Sequence, residues 1–160
     1  MKINKTVILL VLFILTVLYP GQRVKSQSST IKINITNIKS LNGEIKAILW
    51  NSSVGFPKEK DRYYKRTKQK VNNDTIEICF DNIPFGDYAI SFFQDENENM
   101  EFDRNRWKRT SEPFGLSGKP DFEKRPVKFD DCKFTVNKAK MEIHIPMLYI
   151  EDVQQLLQEQ

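Results

Sequence analysis

Four short oxygen-bearing side chains, Asp95, Asn97, Asn99 and Asp103, stand at the first, third, fifth and ninth positions of one acidic, asparagine-rich stretch. At that spacing a tightly turned loop brings carboxylate and amide oxygens onto one hard cation, with the backbone carbonyl of the seventh residue, Glu101, as a fifth oxygen. The chemistry this predicts is calcium binding. Two positions depart from the rule: Met100 is sixth, where the sharp turn favours glycine, and Arg106 is twelfth, where a bidentate Glu normally completes the shell. Glu112 is the carboxylate that would replace it if the segment around Trp107 folds back. The competing reading is an Asx-rich turn whose side chains bond their own backbone. A third use for Asp95, Asp103 and Glu112 is hydrolysis through paired carboxylates. Acids interleaved with asparagines suit cation ligation better than proton donation.

The rest of the sequence adds no reaction centre. It contains no glycine-rich phosphate loop, no Cys or His metal cluster and no nucleophile elbow, and its single histidine, His144, alternates outward on a strand. The expectation is therefore a non-catalytic binding or structural module. A hydrolase acting through the loop carboxylates is the alternative.

The loop needs a rigid holder, and Asp87 to Gln94 supplies one. Tyr88, Ile90 and Phe92 share one face and Ala89, Ser91 and Phe93 the other, so both faces are partly apolar, as in a central strand. Before it, Asn82 to Gly86 forms a turn, with Pro84 presetting one backbone angle and Gly86 permitting a positive one. Period-two alternation recurs in Thr30–Lys39 (Ile31, Ile33, Ile35), Glu44–Trp50 (Ile45, Ala47, Leu49) and Asp74–Asp81 (Ile76, Ile78, Phe80). It returns in Asp131–Lys138 and in Lys140–Tyr149 (Met141, Ile143, Ile145, Met147). Leu41-Asn42-Gly43 predicts a turn joining the first two strands as an antiparallel hairpin.

Six or seven short strands punctuated by turns predict an all-β, antiparallel sandwich. Its expected core is Ile33, Ile35, Ala47, Leu49, Ile78, Phe80, Tyr88, Ile90, Phe92, Phe134, Ile143 and Ile145. The domain is expected over residues 27–150, with a tail at 151–160 that places Val153, Leu156 and Leu157 at helical spacing. Two stretches lack alternation. Asn51–Asn73 carries Lys58, Lys60, Arg62, Lys65, Arg66, Lys68 and Lys70 beside Tyr63 and Tyr64 and is expected as a solvated loop. Asp95–Arg125 contains the acidic loop, Phe102, Trp107 and Phe114, and is expected as a long loop packed on the sheet.

Residues 1–26 predict a cleaved secretory signal. Lys2 and Lys5 precede an apolar run from Val7 to Tyr19, then Pro20 and Gly21, with Val24 and Ser26 suited to cleavage before Gln27. The run is 13 residues, against about 20 for a membrane span. Its removal leaves 21 basic and 21 acidic side chains, a balance that gives no general electrostatic reason to bind nucleic acid or an anionic membrane. The expectation is a periplasmic or extracellular protein, not inserted in the membrane after cleavage, whose partner is an envelope protein or polysaccharide. Cys79 alternates outward and Cys132 shares parity with Phe134 and Val136 on the inward side, so two free thiols are expected rather than a bridge.

Taken together, the turn-strand-loop unit from Phe80 to Asp103, Ser-Glu-Pro-Phe-Gly-Leu-Ser-Gly at 111–118 and Phe-Asp-Asp-Cys-Lys-Phe-Thr-Val at 129–136 resemble a bacterial exported family, domain of unknown function 2141. Its aliphatic-Pro-x-Gly turn and Tyr-Ala pair fall on Ile83, Pro84, Gly86, Tyr88 and Ala89. Its acidic loop falls on Asp95, Glu96, Asn97, Asn99 and Asp103, and its later Glu-x-Tyr-Gly-x-Ser run on Glu112, Phe114, Gly115 and Ser117. Met100 stands where the family usually has Gly, and Lys108 and Thr110 where it has Gly and Pro. The resemblance implies a transthyretin-like or immunoglobulin-like sandwich, bacterial export and no established activity. Under it, the Asn-x-Ser/Thr sites at Asn34, Asn51 and Asn73 carry no glycan.

Overall fold

Isoleucines 31, 33 and 35 are wholly buried along strand β1 (Ser28–Thr36), while the polar residues between them stay half exposed. The computed structural model describes residues 27–57, 61–103, 112–123 and 126–158. The predicted signal segment and Trp107 lie outside them. The remaining strands are β2 (Glu44–Trp50), β3 (Lys65–Lys70), β4 (Ile76–Pro84), β5 (Gly86–Asp95), β6 (Phe114–Leu116), β7 (Phe134–Val136) and β8 (Lys140–Pro146). Two short helices, α1 (Phe129–Cys132) and α2 (Ile150–Leu156), complete the described elements.

The strands form two sheets facing each other across one apolar layer, a β-sandwich with a short C-terminal helix as expected. In the three-stranded sheet β1 lies between β4 and β8. It pairs antiparallel with β4 (Ile33 opposite Ile78) and parallel with β8 (Ile33 opposite Ile143). The other sheet runs β3-β2-β5-β6, with β7 also paired to β5, all antiparallel. Ile45, Ala47 and Leu49 of β2 and Tyr88, Ile90 and Phe92 of β5 bury against the isoleucines of β1 and against Ile76, Ile78 and Phe80 of β4. Burial of such side chains contributes about 1.5–3 kcal/mol each relative to exposure.

The five-stranded sheet is covered on its outer face as well. Trp50, Ala89 and Cys132 are buried there with Phe56, Tyr63, Val127 and Phe129 packed around them. The Trp50 and Phe56 rings meet edge to face at 5.6 Å, and the indole N–H donates to Ser91 Oγ at 2.8 Å. This second cluster explains why β5 is apolar on both faces.

Several expectations are corrected. β1 and β2 do not form a hairpin: the turn at Gly43 carries the chain from one sheet to the other, because each strand has a single apolar face and the two faces bury against each other. The basic stretch holds an edge strand, β3, rather than only a loop. The long segment after Asp95 returns to the sheet as β6. Asp131 and Cys132 belong to the helical turn α1, not to a strand, and only Phe134–Val136 extends along β5. Phe134 and Ile143 are half-buried at the margin of the core. Cys132 faces Trp50, Cys79 is exposed, and the thiols are free.

Candidate functional site

Asp95 is the last residue of β5, and its side chain lies on the outer face of the five-stranded sheet beside Lys46 of β2. The register places Glu44 opposite Asp95 and Lys46 opposite Phe93, so Lys46 reaches the carboxylate diagonally. Its ammonium donates to Asp95 Oδ2. The same oxygen accepts the N–H of Met100 at 2.9 Å, and Oδ1 accepts that of Asn99 at 3.1 Å. The Asp95 side chain is wholly buried, whereas that of Lys46 is 19% exposed. Burial works against ionisation of Asp95, but the Lys46 ammonium and the two backbone donors outweigh it and hold its carboxyl below the usual range.

Beyond Asp95 the loop is built from consecutive Asx turns. Asn97 Oδ1 accepts the N–H of Asn99 at 3.1 Å, and Asn99 Oδ1 accepts that of Glu101 at 2.7 Å. The two amide nitrogens then point to the same place: Asn97 Nδ2 donates to Asp103 Oδ2 at 2.7 Å, and Asn99 Nδ2 sits 3.0 Å from both Asp103 oxygens. Closing so tightly forces Glu98 and Met100 into the left-handed region, at φ 58° and 69°. Asn tolerates that conformation better than Glu or Met does, so the loop retains local strain at these two residues.

Glu112 closes the other end. The chain returns to the sheet at Pro113, whose carbonyl accepts the N–H of Gln94 at 2.9 Å. This places Glu112 beside Asp103, whose N–H donates to Glu112 Oε2 at 3.0 Å. Glu112 is 6% exposed, and burial, together with the nearby Asp95 and Asp103 carboxylates, pushes its carboxyl up despite the backbone N–H groups of Asp103 and Glu96. A row of rings lies under the loop: Phe93 and Phe102 at 5.2 Å, then Phe114 and Phe122, each step 6.2 Å.

The structure thus brings together Asp95, Asn97, Asn99, Asp103 and Glu112, and engages Glu101 through its backbone N–H. Arg106 lies outside the described residues. Among those residues no group of three His, Cys, Asp or Glu side chains has the arrangement of a metal site, and no helix is long and apolar enough to cross a membrane. His144 is exposed, 4.0 Å from Glu142, as its alternation indicated.

Three contributors have no local signal. Lys46 comes from a different strand. Gln94, wholly buried, donates through Nε2 to the carbonyls of Ser40 and Asn42, both at 2.8 Å, and so fixes the sheet-crossing turn beside the loop. Gly43 sits at φ 74°, where a Cβ would fall 1.9 Å from the carbonyl oxygen of Asp95. The glycine in Leu41-Asn42-Gly43 marks a turn in the sequence, but not the backbone that passes over it.

A family model described as an uncharacterized protein conserved in bacteria (DUF2141) matches residues 33–144, from within β1 into β8. No curated protein and no solved structure matches the chain.

Proposed function

The chain belongs to the DUF2141 family of bacterial proteins, and on that premise we propose that it is an exported, non-catalytic binding or structural module. The observation that supports this is the use made of the carboxylates. Asp95 is occupied by one ammonium and two backbone N–H groups, Asp103 by two amides, and Glu112 by the N–H of Asp103. Acids engaged in this way fix a loop; a general acid or base needs a lone pair or proton directed at substrate. Export is supported by the N-terminal pattern ending at Ser26, and the partner expected is an envelope protein or polysaccharide. Incubation with a panel of glycans and esters is expected to show no turnover. Turnover abolished by Asp103→Asn or Glu112→Gln would replace this reading with a hydrolase.

The meeting of Asn97, Asn99 and Asp103 in one loop supports a second property, calcium binding by Asp95, Asn97, Asn99, Asp103 and the Glu101 carbonyl, for which the two amides, whose nitrogens donate to Asp103, would turn their oxygens inward. Calcium would then compete with the Lys46 ammonium for Asp95. At a concentration one hundred times its dissociation constant, a cation that binds only the folded chain adds about 2.7 kcal/mol of stability. The melting midpoint is expected to be higher in millimolar calcium than in chelator, with the difference lost on Asp95→Ala. Equal wild-type midpoints would leave the loop a self-closed turn.

A further inference from the structure

We propose that the outer edge of β3 is a docking edge for an extended acidic peptide, which adds to the five-stranded sheet as a further strand. The surface is separate from the acidic loop, and the inference stands whether or not the loop binds calcium.

β3 is the terminal strand of its sheet, paired to β2 on one side. Five of its six residues are exposed and the other is half-buried. Its register with β2 is regular from Lys65 opposite Leu49 to Lys70 opposite Glu44, with no bulge. Among the described residues, no backbone bond of β3 runs to a strand other than β2. A regular edge of this length offers unpaired N–H and C=O groups to any extended chain. Of the usual means of closing such an edge, β3 has no bulge, no proline and no shortness, but it does carry charged side chains.

What β3 has instead is charge of one sign. Lys65, Arg66, Lys68 and Lys70 fall within six residues that contain no acid. Glu44 answers Lys68 at 2.9 Å and Glu98 answers Lys70 at 3.8 Å. The Lys65 ammonium donates to the Asp81 carbonyl at 2.7 Å, and the Arg66 guanidinium lies 5.4 Å from the centre of the Tyr63 ring. Among the described residues neither Lys65 nor Arg66 meets a carboxylate. Such an edge repels a second copy of itself and attracts a strand bearing carboxylates. Main-chain bonds then supply affinity and the charges select the partner.

The test uses ¹⁵N-labelled protein and three synthetic heptapeptides: one alternating Glu with Val, the same peptide N-methylated at alternate residues, and its Lys counterpart. The acidic peptide is expected to shift the amides of residues 65–70 and to weaken with added salt. N-methylation, the Lys peptide and Arg66→Glu should each reduce affinity at least tenfold. Absence of shifts at millimolar acidic peptide overturns the proposal, as does equal binding of the N-methylated peptide, which is independent of any variant's folding. Tighter binding of dextran sulfate than of the acidic peptide at the same amides would also overturn it, in favour of a polyanion surface.

Discussion

Replacing Lys46 by methionine keeps the aliphatic stem and removes the ammonium from a carboxylate that has no contact with water. An exposed ion pair contributes at most about 1 kcal/mol, whereas removing one partner of a buried pair costs about 3–5 kcal/mol. Lys46 is partly exposed and Asp95 keeps the N–H groups of Asn99 and Met100, so the expected loss lies between these limits, about 2–3 kcal/mol. For a chain of this size that is a fall in midpoint of roughly 6–12 °C. The pH dependence separates this pair from a packing effect. The folded-state carboxyl of Asp95 is held below its ordinary value of 3.8, so its contribution is present above that value and is lost as pH falls through the lower folded one. Wild type and Lys46→Met should therefore differ at neutral pH and converge as the pH falls through the lowered folded-state value of Asp95, followed by urea unfolding at each pH. A midpoint within about 2 °C of wild type at neutral pH, or a gap that does not close in acid, would refute the assignment of Lys46 as the counter-ion of the loop.

Gly115→Ala would place a Cβ 2.1 Å from the tip of the buried Phe92 ring, so a loss of about 1–3 kcal/mol is expected, with much of it recovered in the double variant Gly115→Ala, Phe92→Leu. Additive losses in urea unfolding would count against this contact. Met100→Gly should stabilise by about 0.5–1 kcal/mol, since Met100 is 73% exposed and held at φ 69°; a lower midpoint would contradict the strain argument. Thiol titration of the folded protein should detect Cys79 alone. Cys132 is wholly buried, and burial followed by the Asp131 charge pushes its thiol up to about 12, so it should react only on unfolding, and two fast thiols would refute its placement.

Alternation showed which residues point inward but not which strands pair. Ile31, Ile33, Ile35, Ile45, Ala47 and Leu49 all lie in the core, yet two strands with one apolar face each are equally compatible with lying side by side or face to face. β3 left no periodic signal because an edge strand solvated on both faces needs none. A single helical turn is too short to interrupt a period of two, so alternation alone gives Cys132 a strand-like inward position. At the loop, the spacing of Asp95, Asn97, Asn99 and Asp103 correctly marked residues that meet. Lys46, 49 positions before Asp95, was invisible because its approach depends on the β2–β5 register.

The position of β1 between β4 and β8 bears on how the chain is made. Among the described residues the first strand to be synthesised becomes the middle strand of its sheet, with one neighbour at residues 76–84 and the other at 140–146. Until Pro146 has been synthesised, Ile31, Ile33 and Ile35 lack a bonding partner along one whole edge. The sheet is therefore completed only once residues 140–146 exist, through contacts of long sequence separation that form slowly. A nascent chain stopped before β8 carries the three isoleucines of β1 along an open edge, the state in which binding by a chaperone or pairing with another chain competes with folding.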